Sequence, residues 1–162
     1  MKISGFTMVR NASKYYFPIQ ASIKSILPIV DEFIVALGKG EDNTREIIES
    51  IDSDKVKIYE REWQEKDFIK GRIFRKETNF ALSKCSGDWC FYLQADEVLH
   101  EKDLDYIKNI CNKYLNKEEI EGILFNYIHF WGDYRHYVDS HGNSSKDIRI
   151  VRNNSGIYSY KD

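Results

Sequence analysis

Two hydrophobic patterns alternate along the first two-thirds of the chain. Short apolar runs predict four strands, at residues 3–9, at "DEFIVALG" (31–38), at "KVKIYERE" (55–62) and at "DWCFYLQ" (88–94). Between them, apolar residues recur every three or four positions and predict helices after Pro18, after Asn43, over residues 72–85 and from about Asp103 onward. This alternation predicts an α/β fold with a mostly parallel, Rossmann-like central sheet and helices on both faces.

The last third of the sequence has a different pattern. "GILFNYIHFW" (122–131) predicts a long aromatic strand and "DIRIVRN" (147–153) another, with a polar segment between them. Simple alternation places Phe125, Tyr127, His129 and Trp131 on one face, where packing is the commoner role and stacking of a ligand ring on Trp131 is the alternative. No internal repeat or linker divides the chain, so we expect residues 1–162 to form one domain.

Composition and charge narrow the classes of partner. The 24 basic and 26 acidic residues leave a net charge of −2, which does not predict a nucleic-acid partner. The three cysteines lack paired spacing and are expected to be reduced packing residues. No signal-peptide pattern occurs, and no apolar run approaches the roughly 18 residues of a membrane helix. These features predict a soluble cytoplasmic domain and leave peripheral attachment to the inner face of the membrane open.

Polar side chains follow each predicted parallel strand, and such strand ends meet at the edge of the sheet where ligands bind. Asp96 and Glu97 come directly after the fourth strand, where an unpaired buried carboxylate is costly. A divalent cation would explain them, because Mg²⁺ takes one or two protein carboxylates while phosphates of a substrate complete its shell. The alternative is that one of them caps the helix beginning near Asp103, or is simply solvated in a turn.

Two long segments resemble a known family. "DEFIVALGKGEDNTREIIESI" (31–51) and "ETNFALSKCSGDWCFYLQADEVLHEKDL" (77–104) are similar to the family 2 glycosyltransferases, whose nucleotide-sugar-binding fold is called GT-A. The similarity spans most of residues 1–115. It is greater still to a branch that carries "QADE" in place of the family's D-x-D motif, and "HFWGDY", "IRIVRN" and "GIYSYKD" resemble that branch too.

The resemblance implies a set of site residues. Asp96 takes the position of the last aspartate of D-x-D, which holds a Mn²⁺ or Mg²⁺ ion on the diphosphate of the donor, and Glu97 is a second candidate ligand. The implied donor-binding residues are Thr7, Arg10, Asn11, Gly38, Glu41, Asp42, Arg72, Asn79, Gln94 and Ala95. Two positions depart from the family: Gln94 replaces the first aspartate of D-x-D, and Leu37 replaces the aspartate that contacts the base.

The implied reaction is transfer of a sugar from a nucleoside diphosphate donor to a saccharide or lipid-linked acceptor hydroxyl, with inversion. Its setting in the family is assembly of bacterial surface polysaccharide or glycolipid. Residues 1–115 would bind the nucleotide sugar, and residues 116–162 would begin an acceptor half that relatives continue. Asp133, Asp139 and His141 are the candidates for the general base that accepts the proton of the acceptor.

The sequence leaves one other function open and disfavours another. The departures at Gln94 and Leu37, with the early end of the chain, also fit a catalytically inactive nucleotide-sugar-binding or scaffold module. A nucleotidyltransferase is disfavoured, because "TMVRNAS" (7–13) lacks the glycine-rich signature that such enzymes carry after their first strand.

Overall fold

The structure is a computed structural model that describes residues 1–138, 146–153 and 156–160. The strands are β1 (Ile3–Val9), β2 (Glu32–Gly38), β3 (Val56–Arg61), β4 (Trp89–Tyr92), β5 (Gly122–Asn126), β6 (Phe130–Trp131), β7 (Asp133–Tyr137) and β8 (Lys146–Arg152). The α-helices are α1 (Ile19–Ile26), α2 (Thr44–Glu49), α3 (Arg72–Leu82) and α4 (Leu104–Lys113).

Six of the strands form one sheet in the order β3-β2-β1-β4-β8-β5. β1 pairs in parallel with β2 and β4, and β2 pairs in parallel with β3. β8 is antiparallel to both of its neighbours, β4 and β5. The predicted α/β fold with a mostly parallel sheet is therefore confirmed. β5 and β8, which add the antiparallel pairings, come from the part of the chain where strands and helices no longer alternate.

Both faces of the sheet are covered by helices, which explains why β2 is almost continuously apolar. On one face, Ile23 of α1 and Ile107 of α4 share a buried cluster with Phe33 and Trp89 of the sheet. On the other face, Ala81 of α3 packs with residues of β1 and β2. Among the residues that the structure describes, none of the helices has the length and apolar character of a membrane span.

The start of α2 is capped by a residue other than the one before it. Asn43 and Glu46 have the spacing of a capping box, but Asn43 makes no side-chain capping bond and the box is not formed. The Thr44 N–H instead donates to Asp42 Oδ1 at 3.1 Å. The carboxylate just before the helix thus satisfies one of the backbone donors that a helix end leaves unpaired.

The predicted long aromatic strand is also interrupted. β5 ends at Asn126, and β6 pairs with β7 in a separate hairpin that turns at Gly132, whose φ is 77°. Phe125 does pack against Phe91, with ring centroids 5.2 Å apart, whereas Trp131 is 76% exposed. The packing role expected for the whole stripe is therefore wrong for Trp131, because this side chain lies on a hairpin outside the main sheet.

A buried polar cluster lies at the amino-terminal edge of the sheet, opposite the predicted site. Glu32 Oε1 accepts hydrogen bonds from Ser4 Oγ at 2.7 Å and from Ser86 N–H at 2.7 Å, and Glu32 Oε2 accepts one from Lys57 Nζ at 2.6 Å. Burial alone would raise the pKa of Glu32. The bonds from Lys57, Ser4 and Ser86 outweigh it and lower the pKa from 4.5 to about 2.

Glu32→Gln should therefore destabilise the fold in a pH-dependent way. A carboxyl group whose pKa falls on folding stabilises the folded state above its unfolded pKa, and the contribution is lost as the pH falls from about 4.5 to about 2. We expect the variant to lower the free energy of unfolding by about 2–3 kcal/mol at pH 7 and by much less near pH 2. Urea unfolding of both proteins across this pH range is the measurement, and an equal difference at both ends would contradict the assignment.

Candidate functional site

Parallel pairing brings the carboxyl ends of four strands to one edge of the sheet. Val9 lies beside Leu37, Gly38 lies beside Arg61, and the Leu93 N–H donates to the Phe6 carbonyl at 3.1 Å. The segments after β1, β2, β3 and β4 therefore leave the sheet on the same side. This is the arrangement predicted from the sequence, and it makes this edge the candidate functional site.

The loops after β1 and β2 are joined through two side chains. Asn11 adopts a left-handed backbone with φ of 56°, and its Oδ1 accepts a hydrogen bond from the Glu41 N–H at 2.9 Å. Asp42 Oδ2 accepts one from the Lys14 N–H at 2.8 Å. Partial burial raises the pKa of Asp42, but the bonds from Thr44 and Lys14 outweigh it and hold this pKa below its usual value. Both side chains hold the loops together.

Gly40→Ala should break this connection. A Cβ at Gly40 would lie 2.3 Å from Asn11 Oδ1, so Asn11 would have to move and release the Glu41 N–H. We expect a loss of about 1–3 kcal/mol in the free energy of unfolding, as for other overpacked sites. Asn11→Gly provides the control, since it keeps a residue suited to positive φ and removes the clashing side chain. In a thermal-unfolding double-mutant cycle, Gly40→Ala should be nearly harmless in the Asn11→Gly background, and an undiminished loss there would contradict the explanation.

A cleft of about 380 Å³ opens beside the ends of β2 and β3. It is lined by Leu37, Gly38, Lys39, Gly40, Asp42, Thr44, Arg45, Glu46, Glu60, Arg61 and Glu62. Arg45 pairs with Glu49 at 2.7 Å and with Glu60 across the cleft wall. The lining combines backbone of a glycine-containing loop with charges of both signs, so it can accept a polar ligand.

Arg10 lies under an aromatic cover that the sequence did not predict. Its guanidinium carbon is 5.7 Å from the centre of the Trp63 ring and 5.9 Å from that of Phe68. Gly38 permits this approach, because a Cβ there would lie 2.6 Å from Trp63 Nε1. Arg10 Nε and Trp63 Nε1 are both buried and have no hydrogen-bond partner among the described residues. Two unpaired donors at a strand end favour an acceptor-rich ligand in this region.

Gln94, Ala95, Asp96 and Glu97 form a turn directly after β4. The Glu97 N–H donates to the Gln94 carbonyl at 3.1 Å, and the Gln94 N–H donates to Glu97 Oε2 at 2.9 Å. The Gln94 carbonyl also accepts a bond from Ser22 Oγ of α1 at 3.0 Å. Ala95 is buried, whereas Asp96 is exposed and its carboxylate has no hydrogen bond or ion pair within the described part of the chain. These hydrogen bonds fix the backbone of the turn, and the Asp96 side chain is left exposed to solvent.

Neither acid of this turn caps α4. His100 Nδ1 accepts a bond from the Lys102 N–H in the 3-10 turn (Glu101–Asp103) that precedes α4. Glu97 instead forms a bidentate ion pair with Arg149, with Nη2 to Oε1 at 2.7 Å and Nε to Oε2 at 3.0 Å. Tyr127 Oη donates to Glu97 Oε1 at 2.7 Å. Because both oxygens already have partners, Glu97 would have to release them to bind a metal.

Asp96 is thus the predicted ligand with free oxygens. No group of three or more His, Cys, Asp or Glu side chains with metal-binding geometry occurs among residues 1–138, 146–153 and 156–160. One exposed carboxylate beside the amide of Gln94 still fits a Mg²⁺ or Mn²⁺ ion that takes most of its ligands from phosphates and water. A metal ion that takes all of its ligands from protein would not fit this site.

The remaining predicted residues lie in several places. Thr7 is buried in β1, and Arg72 is exposed at the start of α3. Asn79 is engaged with the backbone of Ser159, which donates to Asn79 Oδ1 at 2.8 Å and accepts from Asn79 Nδ2 at 2.9 Å. Asn79 therefore holds the backbone at Ser159 against α3.

Of the three candidate bases, one can be located. Asp133 is exposed on the β6–β7 hairpin, where its Oδ1 accepts from the Arg135 N–H at 2.7 Å and lies 2.8 Å from His136 Nδ1. The bonds from the Arg135 backbone and from His136 lower the pKa of Asp133. Asp139 and His141 lie outside the described residues.

Tyr127 and Arg149 contact this turn but were not among the predicted site residues. Arg149 is 8% exposed, although its neighbours in β8 are isoleucines. An arginine inside an apolar strand needs an acidic partner, so its position predicts an ion pair, but the sequence does not say which acid forms it. Tyr127 gave no comparable signal, since the alternating aromatic pattern had a packing explanation.

The sequence matches the family model described as Glycosyl transferase family 2 over residues 14–113. This range covers more than half of the chain, and together with the fold it shows that the chain belongs to glycosyl transferase family 2. The mostly parallel α/β sheet with helices on both faces is therefore the GT-A fold of that family. No curated protein matches the sequence significantly.

Solved structures support the fold. Staphylococcus aureus TarS 1–349 in complex with UDP has a TM-score of 0.58 and 18% identity, covering 86% of this chain and 38% of that one. Mannosyltransferase PcManGT from Pyrobaculum calidifontis, in complex with GDP-Man and Mn²⁺, has a TM-score of 0.54 and 16% identity over 79% of this chain and 35% of that one.

Glucosyl-3-phosphoglycerate synthase from Mycobacterium tuberculosis, in complex with Mn²⁺, UDP and phosphoglyceric acid, has a TM-score of 0.50 and 20% identity. The match covers 83% of this chain and 44% of that one. The chain spans less than half the length of each of these three proteins. At these identities the likeness concerns the fold.

Proposed function

We propose that this domain binds a nucleoside diphosphate sugar at the carboxyl edge of its sheet and transfers the sugar to an acceptor hydroxyl, with inversion. The observation that carries the proposal is the fixed turn after β4, which presents the free carboxylate of Asp96 at the same edge as the loops after β1 and β2. Residues 1–115 would bind the donor, and residues 116–162 would begin the acceptor half.

The donor class rests on the site and on the relatives. Asp96 can hold a Mn²⁺ or Mg²⁺ ion, which when bound supplies positive charge to the departing diphosphate. Arg10 adds a fixed cation at the same edge, and its unpaired Nε can donate to a phosphate oxygen. Gln94 can donate to or accept from a ribose hydroxyl but adds no charge. The bound UDP and GDP-Man of the related structures favour uridine or guanosine diphosphate donors.

The acceptor is proposed to be a saccharide or a lipid-linked saccharide. The β6–β7 hairpin carries exposed aromatic side chains, including Trp131 and Tyr134, which can stack on a sugar ring or lie at a lipid surface. Asp133 on this hairpin is the candidate base among the described residues, although the bonds from Arg135 and His136 lower its pKa and so make it a weaker proton acceptor. The family resemblance supports a cytoplasmic setting at the inner membrane face, in assembly of bacterial surface polysaccharide or glycolipid.

A catalytically inactive nucleotide-sugar-binding module is the second candidate. Gln94 in place of an acid favours it, because one carboxylate binds a metal more weakly than two. The two candidates share the donor site and differ only in turnover.

Calorimetric titration with UDP-, GDP- and dTDP-sugars, each with and without Mn²⁺, tests the proposal. We expect one nucleotide class to bind, and Mn²⁺ to strengthen its binding by about tenfold or more, which corresponds to about 1.4 kcal/mol. Release of free sugar or transfer to a saccharide acceptor in the same samples would separate the enzyme from the inactive module. Absence of binding by every donor would contradict both.

A further inference from the structure

A second group of residues connects the Asp96 turn to the last third of the chain. Arg149 of β8 forms the bidentate pair with Glu97 and also contacts Asp147 Oδ2 at 2.9 Å through Nη1. Its guanidinium carbon lies 5.4 Å from the ring centre of Tyr92 and 5.2 Å from that of Tyr127. The arginine is thereby held between two aromatic rings while its fork faces Glu97.

The carboxylate of Glu97 has no freedom in this arrangement. It accepts four hydrogen bonds, from Arg149 Nε, Arg149 Nη2, Tyr127 Oη and the Gln94 N–H. The last of these bonds closes the turn whose central residues are Ala95 and Asp96. Any movement of Glu97 would therefore be transmitted to the backbone that presents Asp96.

Stability alone does not explain such a group. A buried ion pair is often no more stabilising than well-packed apolar residues of similar volume, whereas it fixes one relative geometry of the segments that it joins. The segments joined here are the turn after β4, the chain after β5, and β8. Asp96 lies in the turn between Gln94 and Glu97, and its carboxylate has no partner among the described residues.

We propose that Glu97, Arg149 and Tyr127 are positioning residues for the donor site, holding the turn so that Asp96 meets the metal bound to the donor diphosphate. This inference rests on the proposed function. It replaces the predicted role of Glu97 as a second metal ligand, and it gives the last third of the chain a direct part in building the donor site.

The test compares the gain in donor affinity that Mn²⁺ provides in the wild-type protein and in three variants. Glu97→Gln keeps the shape but removes the charge, Arg149→Lys keeps the charge but loses the bidentate fork, and Tyr127→Phe removes a single hydroxyl. Loss of a group that orients a metal ligand typically lowers metal affinity about 10–100-fold. We expect Glu97→Gln to reduce the Mn²⁺-dependent gain by about tenfold or more, with smaller reductions in the other two.

Glu32→Gln is the matched control. It breaks another glutamate–cation pair, with a buried carboxylate and a half-exposed lysine, at the opposite edge of the sheet. It should therefore lower the melting temperature and leave the Mn²⁺-dependent gain unchanged. Amide hydrogen exchange provides a readout independent of ligand. The Gln94 and Glu97 N–H groups should exchange faster in Tyr127→Phe than in the wild-type protein, with other amides of the sheet unaffected.

The outcomes separate the two proposals. An unchanged Mn²⁺-dependent gain in Glu97→Gln and Tyr127→Phe, with stability lowered as in Glu32→Gln, would overturn the positioning role and leave the proposed function intact. No donor binding by the wild-type protein would overturn the proposed function, and this inference with it. A reduced gain in all three variants but not in Glu32→Gln would support the positioning role.

Discussion

Asp96→Asn is expected to remove the Mn²⁺-dependent gain in donor affinity and to lower turnover by about 10²-fold or more, the usual scale for losing one fixed charge-stabilising group. The substitution keeps the size and hydrogen-bonding ability of the side chain and removes only its charge. Asp96 is exposed and has no partner among the described residues, so the fold should keep its melting temperature. Calorimetric titration with the preferred donor and a turnover assay, both with Mn²⁺, are the measurements.

Asp52→Asn provides the comparison for this prediction. Asp52 is an exposed aspartate in the connection from α2 to β3, which enters the sheet at the opposite edge. The variant changes the net charge by the same amount and should bind the donor as the wild-type protein does. Undiminished turnover in Asp96→Asn would rule out Asp96 as the metal-holding residue.

Arg61→Met is expected to give the largest loss of stability. Glu77 of α3 is fully buried, with 0% of its side chain exposed, and Arg61 pairs with it at 2.7 Å from Nε to Oε2. Removal of Arg61 would leave a buried carboxylate without its partner, which typically destabilises a protein by about 3–5 kcal/mol. Methionine keeps an unbranched apolar side chain but loses the guanidinium, whose carbon lies 3.7 Å from the centre of the Phe80 ring. Urea unfolding at pH 7 measures the change.

The double variant Arg61→Met/Glu77→Met tests the cause. If the loss arises from the unpaired carboxylate, removal of Glu77 as well should restore most of the lost stability, because a buried ion pair and an apolar pair of similar volume are often equivalent. Losses that simply add in the double variant would show that the two side chains act separately.

The sheet and its edge were predictable from the sequence for a definite physical reason. A strand buried on both faces, such as β2, is almost continuously apolar, whereas the edge strand β3 alternates. The covering helices carry apolar residues at helical spacing, so β1 to β4 and α1 to α4 could each be located. Right-handed connections between parallel strands then bring the segments after the strands to one edge. The positions of Asn11, Asp42 and Asp96 at that edge could therefore be predicted as well.

The contacts within the site were less predictable, because they join residues distant in sequence. The Glu97–Arg149 pair spans 52 positions, and Asn79 binds a backbone 80 positions away, so neither leaves a local pattern. Periodicity also failed beyond Asn126. A stripe of alternating aromatics predicts a strand, but it contains no signal for the point at which the chain leaves one sheet and enters a hairpin.

The most direct measurement is an anomalous difference map from crystals of this domain grown with Mn²⁺ and the nucleotide that binds best in calorimetry. Such a map locates manganese independently of the donor. We predict one peak at the Asp96 carboxylate, shared with a diphosphate that also contacts Arg10, with the Glu97–Arg149 pair intact. A diphosphate bound elsewhere, or a manganese peak whose ligands exclude Asp96, would contradict the account.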